Sequence, residues 1–319
     1  MNWKKRLLIL LCSALLLTDA LAEETLSSSG CVLPDGRRSL YQVKENEEVP
    51  FLPAGSEPVL TENSYRSENM FITLTSGRYE ADSVVKKTNY HSSAMCYTAD
   101  IYLRDLNCLR RVYASDRFGN TSDRIANMAQ KSGAVLAVNG DYACELTQGL
   151  VISNGIVKRK TRNQKRDICL LMTDGSMRIL PYGTSLTYSQ MVGKGLIGED
   201  NVWQAFLFGP SLIDENGNAY DNTVLSKKCS VNPYNPRTVI GYYEPGHYCL
   251  VVVDGRQTKS RGLRIEITAR FMQELGCTLA YNLDGGQSSA MWFSDRIISS
   301  PADGGRKVND ILILTDTLN

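Results

Sequence analysis

Two stretches of the chain alternate apolar and polar residues: FITLTSGRYEAD from Phe71 and MCYTADIYLRD from Met95. A period of two sends successive side chains to opposite faces, so both stretches predict antiparallel strands. Shorter strands follow, punctuated by turn signals. Asn154-Gly155 inside GLVISNGIVKRK reads as a type I′ hairpin, and Asp174-Gly175 inside DICLLMTDGSMRIL carries the same signal. A hairpin is predicted with strands over 238–243 and 248–254, turning at Glu244-Pro245-Gly246-His247. Helical spacing appears twice. Ile125, Met128 and Ala129 share one face of a helix over 123–131, capped by Thr121 or Ser122 and stopped by Gly133. A second helix covers 264–275 and stops at Gly276, and further strands lie near 290–293 and 310–315. Many strands with two sizeable helices predict an α+β fold, a largely antiparallel or mixed sheet flanked by helices in a single domain.

The same short pattern follows each helix. GAVLAVNGD runs from Gly133 to Asp141 and GCTLAYNLD from Gly276 to Asp284, with five of nine positions identical. Each reads as an apolar strand ending in an Asn and an Asp two residues apart. Asn139 and Asp141 are therefore expected on one face, and Asn282 and Asp284 on another. Two strands that deliver polar pairs at their C-terminal ends are a common way for a sheet to present a site.

Composition narrows the picture. The 319 residues suit one large domain or two modest ones, and a net charge of +1 without a basic stripe argues against nucleic acid. Only two histidines are present, which disfavours a His-rich metal centre. Lys4, Lys5 and Arg6 precede a short apolar run, and Ala20-Leu21-Ala22 fits a cleavage site. Residues 1–22 thus read as a signal peptide, which predicts a secreted or cell-surface protein without a stable membrane span. Residues 23–69 are polar and read as a linker or N-terminal extension, with the main domain over 70–319. Eight cysteines remain after the leader, an even count that permits disulfides, and none has CxxC spacing.

Candidate chemistry gathers in turns. Asp141, Asp254 and Asp284 each close a predicted strand, and Asp254-Gly255 and Asp284-Gly285-Gly286 place glycine after the acid. Glycine permits positive φ and close approach of a ligand. Behind Asp284, the GGQSS run offers successive N–H groups and the hydroxyls of Ser288 and Ser289, a pattern that can cradle phosphate. Arg237, Arg256 and Arg306 lie near these turns, and a guanidinium can grip phosphate with two hydrogen bonds. Three acids and nearby carbonyls also admit a divalent cation such as Ca²⁺. Two other motifs lack their contexts. Gly193-Lys194-Gly195-Leu196-Ile197-Gly198 has no βαβ unit around it, and Gly286-Gln287-Ser288-Ser289-Ala290 lacks the last glycine of a nucleophile elbow.

Taken in order, NGDY, NPRTVIG, DGRQTKSRG, YNLDGGQSS and the closing loop with Arg306 resemble the phosphodiester glycosidase family, over roughly residues 97–314. Bacterial members are often described as exopolysaccharide-related. The resemblance implies a hydrolase that cuts a glycan-phosphate substrate, a sugar-1-phosphodiester, between the anomeric carbon and the phosphate oxygen. A phosphate leaves readily because its second pKa is only about 6, so cations and one good carboxylate matter more than a strong general acid. On this reading Asp284 is the leading nucleophile or base, with Asp141 second and Asp254 the third acid. Arg237 and Arg306 hold the phosphate with Arg256 in reserve. Asn139 and Asn282 orient carboxylates or bind sugar hydroxyls, and Gly285, Gly286, Ser288 and Ser289 form the phosphate turn. Gln287 departs from the resemblance, because the family usually carries a third glycine there. The alternatives are a non-catalytic wall- or polysaccharide-binding protein and a metal-dependent phosphodiesterase that cuts the P–O bond.

Overall fold

The structure, a computed structural model, describes residues 39–316 apart from 86, 163–165, 182, 184–185, 199 and 231–232. The expected signal peptide, Cys31 and the start of the expected extension lie outside the described residues. In chain order the strands begin with β1 (Val59–Leu60), β2 (Ser64–Arg66), β3 (Met70–Val85), β4 (Thr88–Leu103), β5 (Leu109–Tyr113) and β6 (Leu136–Asn139). Next come β7 (Leu150–Ser153), β8 (Ile156–Lys160), β9 (Ile168–Met172), β10 (Met177–Leu180) and β11 (Val202–Phe206). The last are β12 (Arg237–Glu244), β13 (His247–Val253), β14 (Leu279–Asn282), β15 (Met291–Phe293), β16 (Arg296–Ile297) and β17 (Asp310–Leu314).

These strands form three sheets. One has seven strands in the order β1-β2-β3-β4-β13-β12-β14, a second has the order β10-β9-β11-β7-β8, and a third β16-β15-β6-β17-β5. All pairings among the described residues are antiparallel. The fold is mostly β with some helices, within the expected α+β class. A shared core joins the sheets: Ile72, Ile101 and Leu250 from the first meet Leu171 and Phe206 from the second and Leu136 and Leu312 from the third.

β13 shows why its sequence does not alternate. Tyr248, Leu250 and Val252 face the shared core, while Cys249, Val251 and Val253 face the helix Ile265–Glu274 on the other side. A strand covered on both faces reads as a continuous apolar run. Under this second face Gly241 makes room for two sulfurs. The sulfurs of Cys249 and Cys277 lie 3.6 Å apart, and a Cβ at Gly241 would come within 2.5 Å and 2.7 Å of them. Gly241→Ala is therefore expected to destabilise the protein by about 1–3 kcal/mol through overpacking, read from urea unfolding midpoints. All seven described cysteines are free thiols.

Both copies of the repeated pattern form one local structure. The helices Ile125–Lys131 and Ile265–Glu274 end in the same hydrogen-bonded turn. Ala134 N–H donates to Ala129 O at 3.0 Å and Gly133 N–H to Gln130 O at 3.3 Å. Their counterparts are Cys277 to Met272 at 3.2 Å and Gly276 to Gln273 at 2.9 Å. Gly133 (φ 62°) and Gly276 (φ 91°) supply the left-handed residue that this helix stop requires.

Three local expectations change. The first helix starts at Ile125 rather than 123, with Arg124 at its N-cap. Asp123 is engaged elsewhere: it exchanges backbone hydrogen bonds with Val308, at 3.0 and 2.9 Å, so neither Thr121 nor Ser122 caps the helix. Asn154 (φ 51°) and Gly155 (φ 76°) both take the left-handed backbone of a type I′ turn. The Asp174-Gly175 connection is wider, running from Thr173 to Ser176, because the Asp174 carboxylate holds Ser176 by its N–H (2.9 Å) and hydroxyl (2.6 Å). Part of the polar stretch before Met70 is also folded: β1 and β2 extend the large sheet, and Tyr41 and Phe51 are buried.

Candidate active site

The two repeat copies arrive from different sheets and meet. β6 lies inside the third sheet and β14 at the edge of the first. The Asn139 amide donates to the Asp284 carbonyl at 2.7 Å, and the Asp284 N–H donates to the Gly140 carbonyl at 3.3 Å. Asn139 Oδ1 accepts from the Thr238 hydroxyl at 2.7 Å. Asn139 is fully buried, so it fixes the backbone of Asp284 from beneath.

Asp284 stands between two cavities. One, of about 170 Å³, is lined by Tyr142, Glu145, Arg306, Lys307 and Asn309. The other, of about 230 Å³, is lined by Phe208, Asn235, Arg237, Arg256, Gly285 and Gly286. Asp284 lines both. Its Oδ1 accepts from the Gly285 N–H at 2.8 Å, and its Oδ2 accepts from the Ser288 hydroxyl (2.5 Å) and Arg306 Nη2 (2.6 Å). Arg306 also donates to Ser288 Oγ and lies over the Tyr142 ring, 5.3 Å from its centroid. Gln287, at the departure from the family pattern, donates to Asp303 at 2.8 Å and accepts the Arg306 N–H through its backbone carbonyl. It ties down the loop that carries Arg306.

Three sequence motifs converge behind the second cavity. Pro236 is held between Gly255 and Gly285, where a Cβ would approach its backbone N to 2.6 Å and its carbonyl O to 2.9 Å respectively. Close packing, rather than positive φ, is what these two glycines permit. Gly286 (φ 65°) does take the left-handed backbone, and a Cβ there would lie 3.1 Å from Arg256 Nη2. Arg237, 9 % exposed, donates among the described residues to the carbonyls of Leu263 (3.2 Å) and Pro233 (3.3 Å). Arg256 donates to Asn235 Oδ1, at 2.9 Å from Nη2. Neither guanidinium is paired with a carboxylate among the described residues. Burial draws the Arg237 pKa down to about 10. Asn282, on the same cavity, donates to the carbonyls of Gly209 and Leu283, while its Oδ1 accepts nothing among the described residues.

The structure does not bring the three acids together. Asp141 is fully buried and ion-paired with Arg111, and it accepts the N–H groups of Ala143 (3.2 Å) and Leu207 (2.6 Å). The strand stops at Asn139, so the two-residue periodicity no longer holds at Asp141, and Asn139 and Asp141 serve different partners. Arg111 also binds Asp310 at 2.5 Å, completing a buried ionic triad that the sequence does not announce. Asp254 lines neither of these two cavities and accepts the Ser300 N–H at 2.9 Å, anchoring the chain ahead of Arg306. No cluster of three metal-ligating His, Cys, Asp or Glu side chains occurs among the described residues.

The GGQSS turn also differs from an open phosphate nest. The N–H groups of Gly285, Gly286, Ser288 and Ser289 donate to Asp284, Pro236, Gly285 and Gly286. The Ser288 hydroxyl is spent on Asp284, and Ser289 Oγ meets Thr238 at 3.1 Å. The turn holds the carboxylate rather than an anion.

Burial pushes the Asp254 pKa up to about 6, against the pull of hydrogen bonds from Ser300 N–H and Tyr97. An acid raised in the folded state binds its proton where the unfolded chain has released it. Its contribution to stability is full below about pH 4 and is lost as pH rises through about 6. Asp254→Asn removes this loss. Urea unfolding at pH 4 and pH 7 is expected to show the variant gaining stability relative to the parent as pH rises.

Comparison with known proteins gives the family. The phosphodiester glycosidase family model matches residues 132–315, which span both repeat copies, the Arg306 loop and, apart from Ser122, the lining of both cavities. A mouse N-acetylglucosamine-1-phosphodiester α-N-acetylglucosaminidase is 31 % identical over 56 % of this chain and 35 % of its own length. An uncharacterised prophage-derived protein of Bacillus subtilis is 26 % identical over 63 % of this chain and 31 % of its own. The chain thus spans about a third of the length of these curated relatives. The solved catalytic domain of the zebrafish N-acetylglucosamine-1-phosphodiester α-N-acetylglucosaminidase shares the fold, with a TM-score of 0.59 and 20 % identity over 79 % of this chain and 89 % of that one. From the ordered motifs and the matched residues, the chain belongs to the phosphodiester glycosidase family.

Proposed function

We propose that this protein is a hydrolase that cleaves a glycosyl phosphodiester at the anomeric carbon, releasing free sugar and a phosphomonoester. The observation that carries this reading is the position of Asp284, between an arginine-lined cavity and a second polar cavity. In this assignment the phosphate enters the cavity of Arg237 and Arg256, and the sugar faces Tyr142, Glu145 and Asn309. Asp284 supplies the electron pair for attack on C1: either it takes a proton from the attacking water, or it bonds C1 itself and water then hydrolyses that glycosyl ester, releasing the sugar and restoring the carboxylate. The C1–O bond breaks, its electrons leave with the phosphate, and the guanidiniums offset the charge that develops. Arg306 and Ser288 aim the carboxylate. Asp141, sealed behind Arg111, supports the site instead of sharing the chemistry; besides Asp284, the sugar cavity is lined by Glu145 and by Asp310, which is spent on Arg111. The reading carries the expected leader forward as export to the cell surface or beyond.

Product identity tests the proposal. N-acetylglucosamine-1-phosphodiester, the substrate named for the mouse relative, is the first compound to supply. Free sugar with phosphomonoester, read by mass spectrometry, supports the glycosidase. Sugar-1-phosphate would place the cut at the P–O bond and overturn it.

A further inference from the structure

We propose that the cavity of Arg237 and Arg256 is a dianion site, matched to the phosphomonoester that leaves rather than to the diester that enters. Two guanidiniums line it with only neutral acceptors on their N–H groups. The neighbouring charges are spent on each other: Arg306 on Asp284, and Arg264 on Glu266 at 2.6 Å. The cavity therefore keeps two positive charges. A phosphodiester brings one negative charge, and a second appears on the phosphate only as the C1–O bond breaks. Cations that find their full counter-charge late in the reaction favour the transition state over the ground state. The site is built for this. Arg237 is nine-tenths buried, Asn235 orients Arg256, and Gly285 and Gly286 leave the floor without side chains.

The same geometry implies inhibition by product. Any small phosphomonoester in its dianionic form should occupy the cavity and exclude substrate. This regulatory consequence rests on the proposed reaction, whereas the binding itself does not.

Calorimetric titration of the full chain with methyl phosphate, dimethyl phosphate and sulfate separates the two. At pH 7.5 the monoester, with a second pKa of about 6, is mostly dianionic and is expected to bind roughly 10- to 100-fold more tightly than the diester. At pH 5 that preference should collapse towards unity, while sulfate, a dianion at both values, should keep its affinity. Arg256→Gln should lower monoester and sulfate affinity by roughly tenfold or more. Equal affinity for monoester and diester at pH 7.5, or monoester affinity unchanged in Arg256→Gln, would overturn the dianion site. Loss of the site with diester turnover intact would leave the proposed reaction standing. Tight monoester binding without turnover of any diester would uphold the site and sink the reaction.

Discussion

Asp284→Asn is expected to lower kcat by about 10³- to 10⁴-fold with little change in KM. The amide is nearly isosteric and can still accept the Gly285 N–H, so the turn keeps its shape. What it loses is the electron pair and negative charge needed at C1, together with the ion pair to Arg306. Substrate contacts in both cavities remain, which is why the effect falls on the chemical step. Thermal unfolding of the variant should stay within a few degrees of the parent, since Asp284 lies at the cavity junction rather than in the core. A variant within tenfold of parental kcat would show that another group does the chemistry.

The largest effect on stability is expected at Arg111. Its guanidinium, wholly inaccessible, holds Asp141 and Asp310, both also buried. Arg111→Met leaves two carboxylates without a counter-charge, and breaking a buried ionic group in this way costs about 3–5 kcal/mol. Burial already holds the Asp310 carboxyl above the usual carboxylate range even with Arg111 present. Without the cation Asp310 is pushed further towards its neutral form, so the deficit should shrink as pH falls. Adding Asp310→Asn to Arg111→Met removes one of the stranded charges and should recover part of the loss near neutral pH. Unfolding in urea at pH 5 and pH 8 measures both. A deficit that does not vary with pH would mean that lost packing, not stranded charge, sets the cost.

Much of this was legible in the chain because local grammar and tertiary structure agree. The repeated helix-glycine-strand unit works as read: Gly133 and Gly276 take the left-handed turn that their spacing requires. The 154–155 hairpin follows its dipeptide. The arginines and Asp284, singled out from turns, do come together around one pair of cavities. The misses share a cause, since a residue's partners across the fold are invisible to local spacing. Asp141 and Asp284 have near-identical sequence settings, yet one is sealed by an arginine in β5 and the other opens onto two cavities. Arg111 sits inside an ordinary strand run, LRRVY, and Asp310 opens a last apolar strand, so neither carries a turn signal. Gly255 and Gly285 were read for backbone freedom, but their reason is Pro236, which approaches from elsewhere in the chain. Tyr142 was visible within NGDY, though its place over Arg306 was not.

The junction of Asn139 with Asp284 also bears on when activity can begin. These residues are 145 positions apart, and the buried triad beneath them joins Arg111 to Asp310 across 199. Arg306, which aims the carboxylate, lies beyond both repeat copies. No nascent fragment that ends before the final strand holds a complete site, and contacts this distant close late in folding. Turnover is therefore expected only once Arg306 and β17 have been made and have closed onto Asp284 and Arg111.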